Sequence, residues 1–135
     1  MFKKIFKWKK SPNQRKKILS VEDDALLAKV LIEGLSLEGY EIVNVNDGLK
    51  AVDEVKKFKP DLILLDLILP GIDGFEVLKT IKNDNELKKI PVFVVSNLGA
   101  LADIKSVRAL GAEQYFIKAN TEMDEIFKAI KKRIK

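Results

Sequence analysis

Four short apolar runs in this chain end in groups that can handle a phosphate. Ile18-Leu19-Ser20-Val21 runs into Glu22-Asp23-Asp24, Leu62-Ile63-Leu64-Leu65 into Asp66, Val92-Phe93-Val94-Val95 into Ser96, and Gln114-Tyr115-Phe116-Ile117 into Lys118. The run before Asp66 is the most telling. Opened by Pro60 and followed by Pro70-Gly71, it reads as a strand buried on both faces, yet it ends in a carboxylate. A bare charge at the edge of an apolar core costs several kcal/mol unless something pairs with it. Three carboxylates drawn together would repel one another unless a hard cation joined them. Mg²⁺ takes oxygen ligands, keeps several waters, and is commonly held by one or two carboxylates plus phosphate oxygens. A lysine supplies a point charge and a serine a hydroxyl donor for a transferring phosphoryl group. A carboxylate that attacks phosphorus forms an aspartyl-phosphate.

Each signal alone has an ordinary structural explanation. Glu22-Asp23-Asp24 reads as helix capping, Ser96 as a cap or turn residue, Lys118 as a strand-end charge reaching solvent, and Asp66 as a turn cap. Their shared position at the end of consecutive strands is what those explanations leave out. The elements that must position them follow from periodicity. Asp24 caps a helix with Leu27, Val30, Leu31 and Leu35 inward, lasting to Gly39. Tyr40–Val45 alternates like an edge-side strand. Asp47-Gly48 leads into a helix over Leu49–Phe58 with Ala51, Val52, Val55 and Phe58 inward, ended by Pro60. After the Pro70–Gly74 loop come a helix over Phe75–Asn83, with Val77, Leu78 and Ile81 inward, and one over Leu101–Leu110. The last helix has Thr121 and Asp124 as its capping box and Met123, Phe127, Ile130 and Ile134 as its apolar face. Five strands alternating with five helices predict an α/β fold, a parallel sheet between helical layers with right-handed crossovers. In such a sheet, function gathers outside the carboxyl ends of the strands.

Composition removes other chemistries. The 135 residues suit one domain, 47% apolar and 33% charged. With no cysteine and no histidine, disulfides, thiolate sites, Ser-His-Asp catalysis and a histidine phosphodonor within this chain are excluded. No apolar run approaches a membrane span, and the lysine-broken start lacks the apolar core of a secretory signal, so a cytoplasmic location is expected. The net charge of +5 belongs to one end of the chain. Residues 1–17 hold eight Lys or Arg and no acid, leaving 17 basic against 20 acidic residues beyond them. Two parts are therefore expected: a flexible basic tail over residues 1–17 and a domain over 18–135. Phe2, Ile5, Phe6 and Trp8 stand between the tail's lysines. That pattern is open to contact with an anionic membrane or nucleic acid, or to being a solvated terminus.

From Ile18 onward the chain resembles the receiver domain of two-component response regulators. The acidic start Glu22-Asp23-Asp24, the stretch Asp61–Gly74 and the stretch Gly111–Lys118 carry the resemblance. It implies the (βα)5 flavodoxin-like fold, a three-layer α/β/α sandwich with strand order 2-1-3-4-5. It also implies Asp66 as phosphoacceptor, and Mg²⁺ bound by Glu22, Asp23, Asp66 and the backbone carbonyl of Ile68. Ser96 would be the switch hydroxyl, Lys118 the phosphate-contacting lysine, and Tyr115 the aromatic that moves with them. The donor would be a histidine kinase or a histidine phosphotransfer protein. The output would be the surface of the fourth helix, fifth strand and fifth helix, presented to an unidentified downstream protein or to a second copy in a homodimer.

Two positions depart from the family. Ala119 follows Lys118 where the family usually has proline, often after a cis bond. A non-proline cis bond costs about 2.5–4 kcal/mol, so a trans bond or a reshaped loop is expected here. Asn97 follows Ser96 where small residues are common, at a place suited to modulating phosphoryl lifetime. The expected activity is that of a phosphoacceptor rather than a turnover enzyme. An aspartyl phosphohydrolase would want a second acid where Ile68 stands, and a nucleotide-binding module would want a glycine-rich turn after the first strand. The alternative from another class is a non-phosphorylated receiver-like binding module localised by its basic tail.

Overall fold

The computed structural model describes residues 14–135. In chain order the elements are β1 (Lys17–Val21), α1 (Ala25–Leu37), β2 (Glu41–Val45), α2 (Gly48–Phe58), β3 (Leu62–Leu65), α3 (Gly74–Asn83), β4 (Val92–Ser96), α4 (Leu101–Ala109), β5 (Gln114–Ile117), a 3₁₀ turn (Lys118–Asn120) and α5 (Met123–Arg133). All strand pairs are parallel and the order is β2-β1-β3-β4-β5. The tail proposed over residues 1–17 lies outside the described residues up to position 13. Lys17 belongs to β1: its N–H donates to Asp61 Oδ2 at 2.7 Å, and its Nζ sits 5.2 Å from the centre of the Phe58 ring.

Two apolar clusters flank the sheet, because successive strand residues face opposite sides. On one side Leu19, Val21, Ile63, Leu65 and Val94 pack against Ala51 and Val55 of α2, Val77, Leu78 and Ile81 of α3, and Val107 of α4. On the other, Ile18, Leu62, Leu64, Phe93 and Val95 pack against Leu31 and Leu35 of α1 and Ile126 and Ile130 of α5. β3 has no exposed residue and β5 no fully buried one, as befits a central and an edge strand. Gly34 of α1 leaves room for α5: a Cβ there would stand 2.5 Å from the Phe127 ring.

Some boundaries and faces differ from the periodic expectation. In α1 the buried residues are Ala28, Leu31 and Leu35, while Val30 is exposed. Ala28 completes a stripe spaced three and four apart, and its small side chain hid it from a count of large hydrophobes. In α5 the buried residues are Ile126 and Ile130, with Met123 and Phe127 only packed against the cluster. The expected Thr121–Asp124 box is replaced by one a residue later. The 3₁₀ turn occupies Lys118–Asn120, Thr121 stays extended, and the Glu122 N–H donates to Glu125 Oε1 at 3.4 Å.

Candidate phosphoacceptor site

The register of the strands brings the polar ends together. Val21 lies opposite Leu65, so Glu22 and Asp66 emerge side by side one residue further on. Ser96 lies opposite Ile117, so Lys118 follows directly beside the end of β4. Each carboxylate then has its own anchor. Asp24 caps α1, its Oδ1 accepting the N–H groups of Leu26 and Leu27 at 3.0 and 3.2 Å, which fixes the bend that holds Glu22 and Asp23. The Asp24 N–H donates to Glu22 Oε2 at 3.0 Å. Asn44 of β2 donates through Nδ2 to the Glu22 carbonyl at 3.0 Å. On the β3 side, the Ile68 N–H donates to Asp66 Oδ1 at 3.1 Å.

Lys118 joins the two buried acids. Its Nζ lies 2.7 Å from Glu22 Oε1 and 2.7 Å from Asp66 Oδ2. Glu22 and Asp66 are 3% and 4% exposed, so this ion cluster is shielded from water and geometry matters to its energy. Asp23 is exposed, yet one carboxylate oxygen each from Glu22, Asp23 and Asp66 fall within 4.8 Å of one another. Three acids thus stand together with one ammonium, which pairs with Glu22 and Asp66 and leaves Asp23 without an ion pair among the described residues. Burial pushes the Glu22 carboxyl up from its ordinary value, against the lowering influence of Lys118 and the Asp24 N–H. Burial would pull the Lys118 ammonium down, but its hydrogen bonds to Asp66 and Glu22 outweigh that and hold it above its ordinary value. The surplus negative charge and all-oxygen donor set fit a hard divalent cation such as Mg²⁺.

The loop after Asp66 is braced from two directions. The Gly48 N–H, at the start of α2, donates to the Pro70 carbonyl at 3.1 Å, and the Gly74 N–H donates to the Leu67 carbonyl at 2.9 Å. Gly74 leaves no room for a side chain, since a Cβ there would lie 2.3 Å from the Asp66 carbonyl oxygen and 2.5 Å from Leu67 Cα. Both neighbours are backbone and cannot rotate away. Gly74→Ala is therefore expected to lower unfolding stability by about 1–3 kcal/mol through overpacking, read as a lower urea midpoint at unchanged slope.

On the other flank Ser96 is fully buried and its Oγ accepts the Leu98 N–H at 3.4 Å. The Tyr115 hydroxyl donates to the Leu98 carbonyl. Burial raises the Tyr115 phenol, helped by the charges of Asp103 and Asp66. Asn97 Oδ1 accepts the Ala119 N–H at 3.1 Å. There is no cis peptide bond among the described residues, so Lys118–Ala119 is trans, within the 3₁₀ turn. The sequence-predicted residues stand at or just beyond the carboxyl ends of β1, β3, β4 and β5, except Tyr115, which lies within β5 opposite Val94 and reaches the loop after β4 through its hydroxyl. Asn44 is the contributor that strand-end reasoning missed. Its one signal was a polar side chain between Val43 and Val45 near the end of β2, which the structure sets in register with Ser20.

A family model, the response regulator receiver domain, matches residues 18–131. The chain belongs to that family. Among curated proteins it is 38% identical over 103 residues to the polar-differentiation response regulator DivK of Brucella anthropi, covering 76% of this chain and 84% of DivK. Among solved structures, the phosphorylated cyanobacterial phytochrome response regulator RcpA is 36% identical, with a TM-score of 0.75 over 87% of this chain and 90% of RcpA. The Mn²⁺-bound form of response regulator Rcp1 is 32% identical, with a TM-score of 0.74 over 87% of this chain and 90% of Rcp1. The strand order, the five helices and these neighbours bear out the flavodoxin-like receiver fold. Receiver domains are signalling proteins rather than turnover enzymes in general, and membership implies histidine kinase or phosphotransfer partners. No helix among the described residues is long and apolar enough to cross a membrane.

Proposed function

We propose that this receiver accepts a phosphoryl group on Asp66 from a phosphohistidine of a histidine kinase or histidine phosphotransfer protein. The observation that carries the reading is the single ammonium of Lys118 held 2.7 Å from both Glu22 and Asp66, beside Asp23. An Asp66 carboxylate oxygen attacks phosphorus in line. The bond between phosphorus and the donor's imidazole nitrogen breaks, and its electron pair stays with that nitrogen. Mg²⁺, held by Glu22, Asp23, Asp66 and the Ile68 carbonyl, would supply charge stabilisation to the phosphoryl oxygens when bound.

Lys118 exchanges its bond to Asp66 for one to a phosphoryl oxygen, and Ser96 Oγ donates to another. That movement pulls on Leu98, which Ser96 and Tyr115 both contact, and so reaches the surface of α4, β5 and α5. α4 is suited to shifting: Val107 is its one buried residue, and Ala100, its N-cap, makes no side-chain capping bond. Elements with few buried contacts open at low free energy. A change in this face for a downstream protein, or for a second copy of the chain, is the output.

The test is intact-mass spectrometry after incubation with acetyl phosphate and MgCl₂. Wild type is expected to gain one phosphoryl group and Asp66→Ala none. Equal labelling of the two proteins would remove Asp66 as the acceptor. No labelling of wild type would favour a non-phosphorylated binding module.

A further inference from the structure

Asn97 ties together two segments that the sequence places far apart. Its Oδ1 accepts the Ala119 N–H, joining the loop after Ser96 to the turn after Lys118. Position 119 has an N–H to give because it is not proline, whose ring nitrogen carries none. Asn97 has a neutral amide oxygen to receive it. Both residues are exposed, whereas Asp66 and Ser96 are buried. The bond therefore lies on the solvent side of the reactive groups. Leu98, the next residue, is tied by its carbonyl to the Tyr115 hydroxyl and by its N–H to Ser96 Oγ. The segment 96–98 is thus fastened along the end of β5 at two successive residues.

We propose that Asn97 and Ala119 act as one latch, positioning the Ser96 loop against the Lys118 turn and narrowing the path by which water reaches a phosphoryl group on Asp66. The shielding role rests on the phosphoacceptor reading, whereas the latch itself does not. Asn97 is a positioning residue here, since it acts through Ser96 and Lys118.

The two arms of the test separate these statements. The first is amide hydrogen exchange of residue 119, read by NMR on the unphosphorylated protein. Exchange is expected to speed up about fivefold or more in Asn97→Ala, the size of effect one net hydrogen bond supplies. The second is the half-life of the phosphoryl group after acetyl phosphate labelling. Asn97→Ala removes the acceptor and Ala119→Pro the donor. Each is expected to shorten the half-life about threefold or more, again the scale of one hydrogen bond. The double variant should be no shorter-lived than either single one, because neither half of a latch works alone. Ala119→Gly keeps the N–H and should keep the wild-type half-life. Unchanged exchange in Asn97→Ala overturns the latch, as do additive or lengthened half-lives. A wild-type protein that takes no phosphoryl group overturns the phosphoacceptor reading and the shielding role together, while the exchange arm still decides the latch.

Discussion

Lys118→Met is expected to lower the stability of the metal-free protein by about 3–5 kcal/mol near neutral pH, the usual cost of leaving a buried ion pair with one partner missing. The lysine's aliphatic stem is replaced by a chain of similar length, so little packing is lost and the effect is electrostatic. Glu22 and Asp66 would then face each other with no ammonium between them, both almost fully buried. The pH dependence identifies the cause. Burial already raises the Glu22 carboxyl above the ordinary value of 4.5, and the Lys118 hydrogen bond is the largest influence opposing that rise. Removing it lifts the carboxyl further. A carboxyl raised in the fold binds its proton more tightly when folded than when unfolded. Its contribution to stability is therefore complete below 4.5 and is lost as the pH climbs through the raised value. The variant should consequently approach wild type near pH 5 and fall furthest behind near pH 8, as measured by urea denaturation in EDTA. A deficit of the same size at both pH values would mean that lost packing, not unpaired charge, is responsible.

The same cluster shows which parts of the molecule the sequence revealed. The central strand was legible because Leu62–Leu65 has no polar residue and is bounded by Pro60 and Asp66. The order of the polar ends followed from parallel topology, which puts every carboxyl end on one side. What the sequence could not supply was which acid Lys118 would choose. Its Nζ lies 2.7 Å from Glu22 as well as from Asp66, so Glu22 is a counter-ion to the lysine as well as a candidate metal ligand. That choice depends on side-chain rotamers and distances of a few ångströms, which no periodicity encodes. The α5 cap failed for a related reason. Thr121–Asp124 has the expected spacing, but Thr121 closes the 3₁₀ turn over Lys118–Asn120 as an extended residue, so Glu122 takes the cap and the helix begins one residue later. Asn97 and Ala119 were visible as departures from the family, yet their bond across 22 positions is a fact of tertiary structure.

Asp23→Asn should reverse its rank against wild type according to whether Mg²⁺ is present. Asp23 is exposed and, among the described residues, forms no ion pair with any lysine or arginine, while its carboxylate stands within reach of Glu22 and Asp66. Without metal it contributes mainly repulsion, so its neutralisation should leave stability unchanged or raise it by up to about 1 kcal/mol, the range of exposed charge interactions. With metal the balance changes. An ion bound only to the folded state stabilises wild type by about 1.4 kcal/mol at ten times its dissociation constant. A unit charge lost at the 2.0–2.1 Å range of Mg²⁺–oxygen bonds should weaken binding on the order of a hundredfold, which leaves the variant almost no gain at the same concentration. Thermal melts of both proteins in EDTA and in MgCl₂ read the crossing directly: the variant level with or above wild type in EDTA, and below it in MgCl₂. If Asp23→Asn gained as much from Mg²⁺ as wild type, the metal would have to be held without Asp23. The surplus charge of the three-acid cluster would then need another explanation, with Glu22 already committed to Lys118.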